Sequence, residues 1–348
     1  MGWGFFPLDE QLQVWDGHWS EGVAQQVVWL SGMVTFGEAA EILHKVGQIE
    51  VSKSSVWRRV DHWGQVFKAV EEAAVAQANQ LPRRGKVIPG EKRGVGRMGA
   101  AIDGAMLYIR GEGWKELKVG CVFEVELQPT FDPELLDWEM LGHATHNTYV
   151  GYLGGPEGVG EKLWAEARRR GWTQAEETQT IGDGAVWIWN LVAQHFDDSR
   201  QVVDWYHAVE HLAQAADYLY GETATPLKQR WLNEQKRTLF QGHAQTVGQA
   251  LRVKAQTRLG EAKEGLLQEA GYFDHNQRRM NYLELREEGW LIGSGMVESG
   301  AKQYKDRFTG PGMRWSRRGA NHLIPIRSAI MSDRFDQVWP TVYNSPRN

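Results

Sequence analysis

The stretch ELKVGCVFEVEL, residues 116–127, constrains the fold more than any other. Leu117, Val119, Cys121, Phe123, Val125 and Leu127 alternate with mostly polar neighbours. A period of two sends those side chains to one face of a pleated strand, and that face needs a covering layer. GAAIDGAMLYIR, residues 99–110, is a short apolar strand, and the turn GEGW between the two predicts a hairpin. TYVGYLGG, residues 148–155, is a candidate third strand. A helix is predicted over 158–170, closed by Arg168, Arg169, Arg170 and then Gly171. Next come a strand ending at Gly182, a helix from Ala185 to Phe196, and a strand over RQVVDWYH, residues 200–207. The order is a three-stranded meander, then helix, strand, helix, strand. The last two strands must run parallel, because a helix returns the chain between them. The fold class is therefore α/β.

On either side of this block the apolar period is helical. Residues 36–63 read as a helix-turn-helix: Phe36, Ala39, Ala40 and Leu43 share one face, Gly47 marks the turn, and Ser52 is a candidate N-cap. Val56, Val60 and Trp63 form the next apolar stripe, leaving Lys53, Ser54, Ser55, Arg58 and Arg59 on the open side, as on a recognition helix. Residues 1–80 are thus expected to form an N-terminal helical DNA-binding domain, and Gly, Pro and basic residues over 81–98 mark a linker. The first part of the α/β core covers 99–207. Residues 208–290 lose strand character and carry helical spacing such as Val209, Leu212, Ala216 and Leu219, which predicts an inserted block of three to five helices. Residues 291–348 return through a Gly-Ser-Gly loop to a helix bearing Glu298, with Lys302 and Lys305 at i+4 and i+7, and then to a basic C-terminal region.

Composition narrows the function classes. No stretch reaches the roughly 18 to 20 apolar residues of a membrane helix, and MGWGFFPLDEQ lacks a basic region before its short apolar run, so a cytoplasmic protein with no membrane partner is expected. Cys121 is the only cysteine, which excludes an intramolecular disulfide or a cysteine zinc knuckle. Most of the 17 Trp are expected to pack, with a minority available to stack on bases. The net charge of −5 argues against nucleic acid until its distribution is read. Residues 82–97 hold six Lys/Arg against Glu91, and residues 299–330 hold seven against Asp306, so the two stretches carry +5 and +6. Local patches of this kind set binding to phosphates.

Three carboxylates stand out. Asp103 lies inside an apolar strand, where an unpaired charge is expensive. Asp183 follows a parallel strand, the place where open α/β sheets bind ligands. Two compatible roles are open to it: N-cap of the next helix, or metal ligand. Glu298 opens a late helix; it is either a ligand or a solvated first-turn glutamate. If the first and fourth strands are neighbours, Asp103 and Asp183 converge, and carboxylates without thiolates favour hard cations such as Mg²⁺ or Mn²⁺.

The order of AIDGA, IGDGAVWIW, DWYHAVEHL, GSGMVES and GMRWS resembles the bacterial insertion-sequence transposases of the DDE type, in particular the ISKra-type group related to Mutator-like elements. The resemblance spans about residues 99–335 and extends more weakly into the helix-turn-helix. It implies an RNase H-like core with a mixed sheet in strand order 3-2-1-4-5 and an all-helical insertion before the last catalytic helix. It assigns Asp103, Asp183 and Glu298 as catalytic metal ligands and Asp204 with His207 as a supporting Asp-x-x-His signature. Asp204 as the second ligand in place of Asp183, and His207 as a plain core histidine, remain open.

The implied activity is divalent-metal-dependent cleavage and strand transfer at the ends of an insertion sequence, with two Mg²⁺ or Mn²⁺ ions as cofactor. The implied partners are double-stranded DNA, both terminal inverted repeats and target, and a homodimer or larger assembly. Lys302, Lys305, Arg307, Arg314, Arg317 and Arg318 are expected to hold phosphates, with Lys53, Ser55, Arg58 and Arg59 on the recognition helix, and Trp315 to stack on a base or to pack. Three competing readings are a junction-resolving nuclease without strand transfer, an inactive or domesticated transposase acting as a DNA-binding regulator, and a phosphohydrolase of small substrates.

Overall fold

The computed structural model describes residues 19–80, 96–132 and 137–345. The predicted basic linker falls almost wholly on residues 81–95, outside the described residues. Three strands come first in the sheet: β1 (Arg97–Ile109), β2 (Gly113–Asp132) and β3 (Asp137–Tyr152). β4 (Glu177–Gly182) and β5 (Arg200–Val203) follow. They form one mixed sheet in the order β3-β2-β1-β4-β5, antiparallel through the meander and parallel from β1 to β5.

The alternation in β2 does what its period demands, up to a point. Leu117, Val119, Cys121 and Phe123 are fully buried, yet Leu127 is half exposed. The reason is register: β1 reaches β2 only as far as Met98 opposite Glu124, so β2 and β3 run on together as a two-stranded ribbon. Nor is the sheet buried on one face only. Gly120 and Val150 face α4 (Pro156–Arg169) through Leu163, whereas Gly151 faces α11 (Gly295–Phe308) and α12 (Arg317–Met331) through Tyr304 and Ile324. α5 (Val186–His195) lies on the α4 side, with Ile188 against Gly182.

Strand β5 is shorter than its apolar run suggested. It stops at Val203, and Asp204, predicted within a strand, instead caps α6 (Trp205–Tyr220) by accepting the His207 amide at 2.9 Å. The predicted helical block is then α6 with α7 (Pro226–Phe240), α8 (Ala244–Ala255), α9 (Gly260–Asn276) and α10 (Tyr282–Glu287).

The N-terminal helices are α1 (Glu21–Met33), α2 (Phe36–Gly47) and α3 (Lys53–Gln80). A reciprocal Thr35–Glu38 capping box starts α2. Val27, Ala39, Leu43 and Val56 make a small core of their own. Beyond Val56, however, α3 joins the main core: Val60, Trp63 and Phe67 are buried there, and Trp63 stacks on Tyr343 of α13 (Phe335–Tyr343) at 5.3 Å. α3 is one helix of 28 residues, and Gly64 in its middle marks a crossing rather than an end. A Cβ there would sit 2.4 Å from the His322 carbonyl oxygen of α12. Gly64→Ala is therefore expected to destabilise the fold by about 1–3 kcal/mol through overpacking, seen as a lower denaturant midpoint at unchanged slope; a parental midpoint would mean the helices are not in contact there.

Candidate metal-binding active site

The parallel register brings the acidic residues together. Ala101 pairs with Ile181, and Gly182 with Val203. Asp103 lies two residues past the last β1–β4 pair, and Asp183 and Asp204 are the residues that directly follow β4 and β5, so the three fall at one level where β4 and β5 end. Val119, opposite Asp103, pairs with Gly151, which faces α11 and α12, so Asp103 lies on the α11 side of the sheet. Each carboxylate leans on backbone amides: Asp103 accepts from Gly104 at 2.7 Å, and Asp183 from Ala185 at 2.7 Å. Of the two roles open to Asp183, that of N-cap falls to Ala185, and the helix starts one residue later.

Asp204 is fully buried, and the amides of His207 and Ser294 bind its two oxygens. Ser294 in turn gives its hydroxyl to Glu298 Oε1 at 3.2 Å. This residue, missed in the sequence, ties the strand-end aspartate to the glutamate on α11; the Gly-Ser-Gly turn was the available signal. The backbone reinforces the link, since Trp205 donates to the Ile292 carbonyl at 2.8 Å. Asp204, His207 and Glu298 each offer a donor atom within 4.8 Å of the others. The expected set of Asp103, Asp183 and Glu298 is not so tight, and Asp204 and His207 stand nearer to Glu298 than a purely supporting part required.

Charge crowding is visible at Asp103. Burial pushes its carboxyl above the ordinary value of 3.8, and the charge of Asp183 adds to the rise, while the Gly104 amide, His207 and Lys305 oppose it. Oxygen donors and an imidazole at this spacing suit a hard divalent cation. A second group, Glu124, Glu126 and His146, suits one less, because Arg170 already neutralises Glu124 at 2.5 Å. The cavity of about 640 Å³ between α3, α4 and α13 holds none of these carboxylates, and its acids Glu71 and Glu166 are paired with Lys162 and with Arg169 and Arg334.

The basic residues divide. Lys302, Lys305 and Arg314 are exposed, and among the described residues no ion pair holds them; Lys53 is exposed on the first turn of α3. Arg58 is exposed with a bond to Ser55 Oγ at 3.1 Å, and Arg59 lies over Trp19. Arg317 is paired with Glu112, and Arg318 with Asp61. One expectation needs correction, and Trp315 takes the packing alternative. Arg307 is 2% exposed, donates to the Ser31 carbonyl at 2.8 Å and lies over the rings of Phe36 and Trp315; burial lowers its pKa to about 10. It fastens α1 to α11 and does not reach a phosphate. Trp315 packs against Phe308 and Phe36 and gives its indole N–H to the Phe308 carbonyl at 2.8 Å, so its ring is used inside the fold.

No protein-family model matches the chain, and no curated protein matches it. Among the described residues no helix is long and apolar enough to cross a membrane.

The raised Asp103 pKa has a sign that can be tested. A folded-state value above the unfolded one means stability that is whole below about pH 3.8 and lost as pH rises through the folded value. Asp103→Asn should raise the metal-free melting temperature at pH 7, and the gain should vanish as pH falls below 3.8. A gain that persists at low pH would point to something other than charge.

Proposed function

We propose that the chain is a DDE-type transposase that cuts and joins DNA with divalent metal ions on an RNase H-like core. One observation carries the reading: Asp103 on β1 and the aspartates that directly follow β4 and β5, Asp183 and Asp204, fall at one level of the register, with Glu298 tied to Asp204 through Ser294. The strand order and a helical block between β5 and the Glu298 helix agree with what the resemblance implies.

Asp103, Asp183, Asp204 and Glu298, with His207 beside them, would hold the ions. When bound, such ions lower the pKa of an attacking water or 3′-hydroxyl and neutralise charge on the scissile phosphate. The protein's own part is positioning. The sheet fixes the aspartates, and Ser294 orients Glu298. Lys302 and Lys305, one and two turns on from Glu298, present positive charge to the flanking phosphates. No serine or tyrosine nucleophile is required, because water and the DNA end attack directly. Lys53, Arg58 and Arg59 at the start of α3 serve as the duplex contact of the N-terminal helices.

The test is Mg²⁺-dependent cleavage and joining of DNA that carries the sequences flanking the gene. Asp103→Asn, Asp183→Asn and Glu298→Gln should each lose more than about 100-fold, beyond the usual loss of an outer partner. Full activity in any of them removes that residue from the ligand set. Cleavage without joining would favour the nuclease, and DNA binding that ignores all three substitutions, with no cleavage, the regulator. Replacing Lys302 and Lys305 together by Gln should flatten the slope of log K against log salt by up to about 1.8; an unchanged slope would remove them from the phosphate contact.

A further inference from the structure

The helical block does more than fill the space between β5 and α11, because α9 presses on the turn that carries Asp183. Tyr272 of α9 donates its hydroxyl to the Asp183 carbonyl at 2.9 Å. Asn276, one helical turn on and 3% exposed, reaches the Gly184 carbonyl at 3.5 Å and accepts the Trp189 indole N–H at 3.0 Å. Gly184 has φ +101°, and a Cβ there would lie 2.6 Å from the Tyr272 ring. Beneath the ring, His211 of α6 stacks at 3.5 Å, and Glu269, 2% exposed, holds the His211 imidazole at 2.6 Å.

We infer that Tyr272 is a positioning residue, whose hydroxyl, together with Asn276, fixes the Asp183–Gly184 turn so that the Asp183 carboxylate faces the cation site; this rests on the metal-dependent reading above. The peptide geometry explains how. With the carbonyls of residues 183 and 184 drawn toward α9, the following amides turn the other way, and Ala185 N–H meets the Asp183 carboxylate at 2.7 Å. Backbone and ligand are therefore set by one clamp. The stacked His211–Glu269 pair stops the ring from swinging out. A helix of the inserted block thus reaches the metal site without supplying a ligand.

Tyr272→Phe keeps the ring on His211 and against Gly184, and removes only the donor. Two measurements on the full chain test the role. Mn²⁺ affinity, read from the free-ion electron paramagnetic resonance signal without DNA, should weaken on the order of 10- to 100-fold in Tyr272→Phe. Amide exchange over residues 184–186, without metal, should speed up while exchange in β1 stays unchanged. The same Mn²⁺ affinity in both proteins overturns the positioning role, even if exchange rises. Unchanged exchange overturns the clamp itself. Wild-type protein that binds no Mn²⁺ overturns the metal reading and this role with it, whereas wild-type binding with an unaltered variant sinks the role alone. Gly184→Ala, which forces the turn off the ring, should weaken Mn²⁺ as Tyr272→Phe does; parental affinity there also counts against the clamp.

Discussion

Like charge held at close quarters is the constraint from which the rest of the architecture follows. Asp103 on β1 stands level with Asp183 and Asp204, which directly follow β4 and β5, and Glu298 is tied to Asp204 through Ser294. Burial is the main penalty at Asp103, whose carboxyl is raised, and the charge of Asp183 adds to it. Chain dipoles offset part of it: the amides of Gly104, Ala185, His207 and Ser294 each meet a carboxylate oxygen. A rigid parallel sheet is what keeps the group from spreading.

The surrounding helices are fastened to that site by polar groups inside apolar packing. Arg307 joins α11 to the Ser31 carbonyl of α1, and Arg327 of α12 bonds the carbonyls of Gly32 and Gln303. Both guanidiniums are buried, and burial lowers the pKa of each. The N-terminal helices, which carry Lys53, Arg58 and Arg59, are therefore locked to the helix that carries Glu298. Under the proposed function, these bonds would hold the duplex contact and the metal site in a constant relation.

Much of this was legible in the residues. Alternation in β2, the Gly-bounded helix after Asp183 and the helical spacing over 208–290 follow from local periods, which the structure keeps. What failed were distinctions that a period cannot make. RQVVDWYH is apolar enough to pass for one strand, but Asp204 prefers to cap a helix, and the chain turns there. Asp183 has a cap's composition, yet its carboxylate serves Ala185 two residues on. Arg307 sits in a basic stretch, and its partners Ser31 and Phe36 are distant in sequence and cannot be read from it. Tyr272 carries no motif at all, and Ser294 is marked only by the Gly-Ser-Gly turn, because their meaning is a contact.

The helical block leaves the sheet at Trp205 and comes back at Ile292, and those two residues share a backbone hydrogen bond. Both ends of the excursion are thus pinned at one spot. Closing a longer loop there costs little more than closing a shorter one. Helices can be added to or trimmed from the outer part of this block over evolutionary time without re-registering a single strand. The segment of α9 that touches Asp183 is the portion such remodelling has to spare.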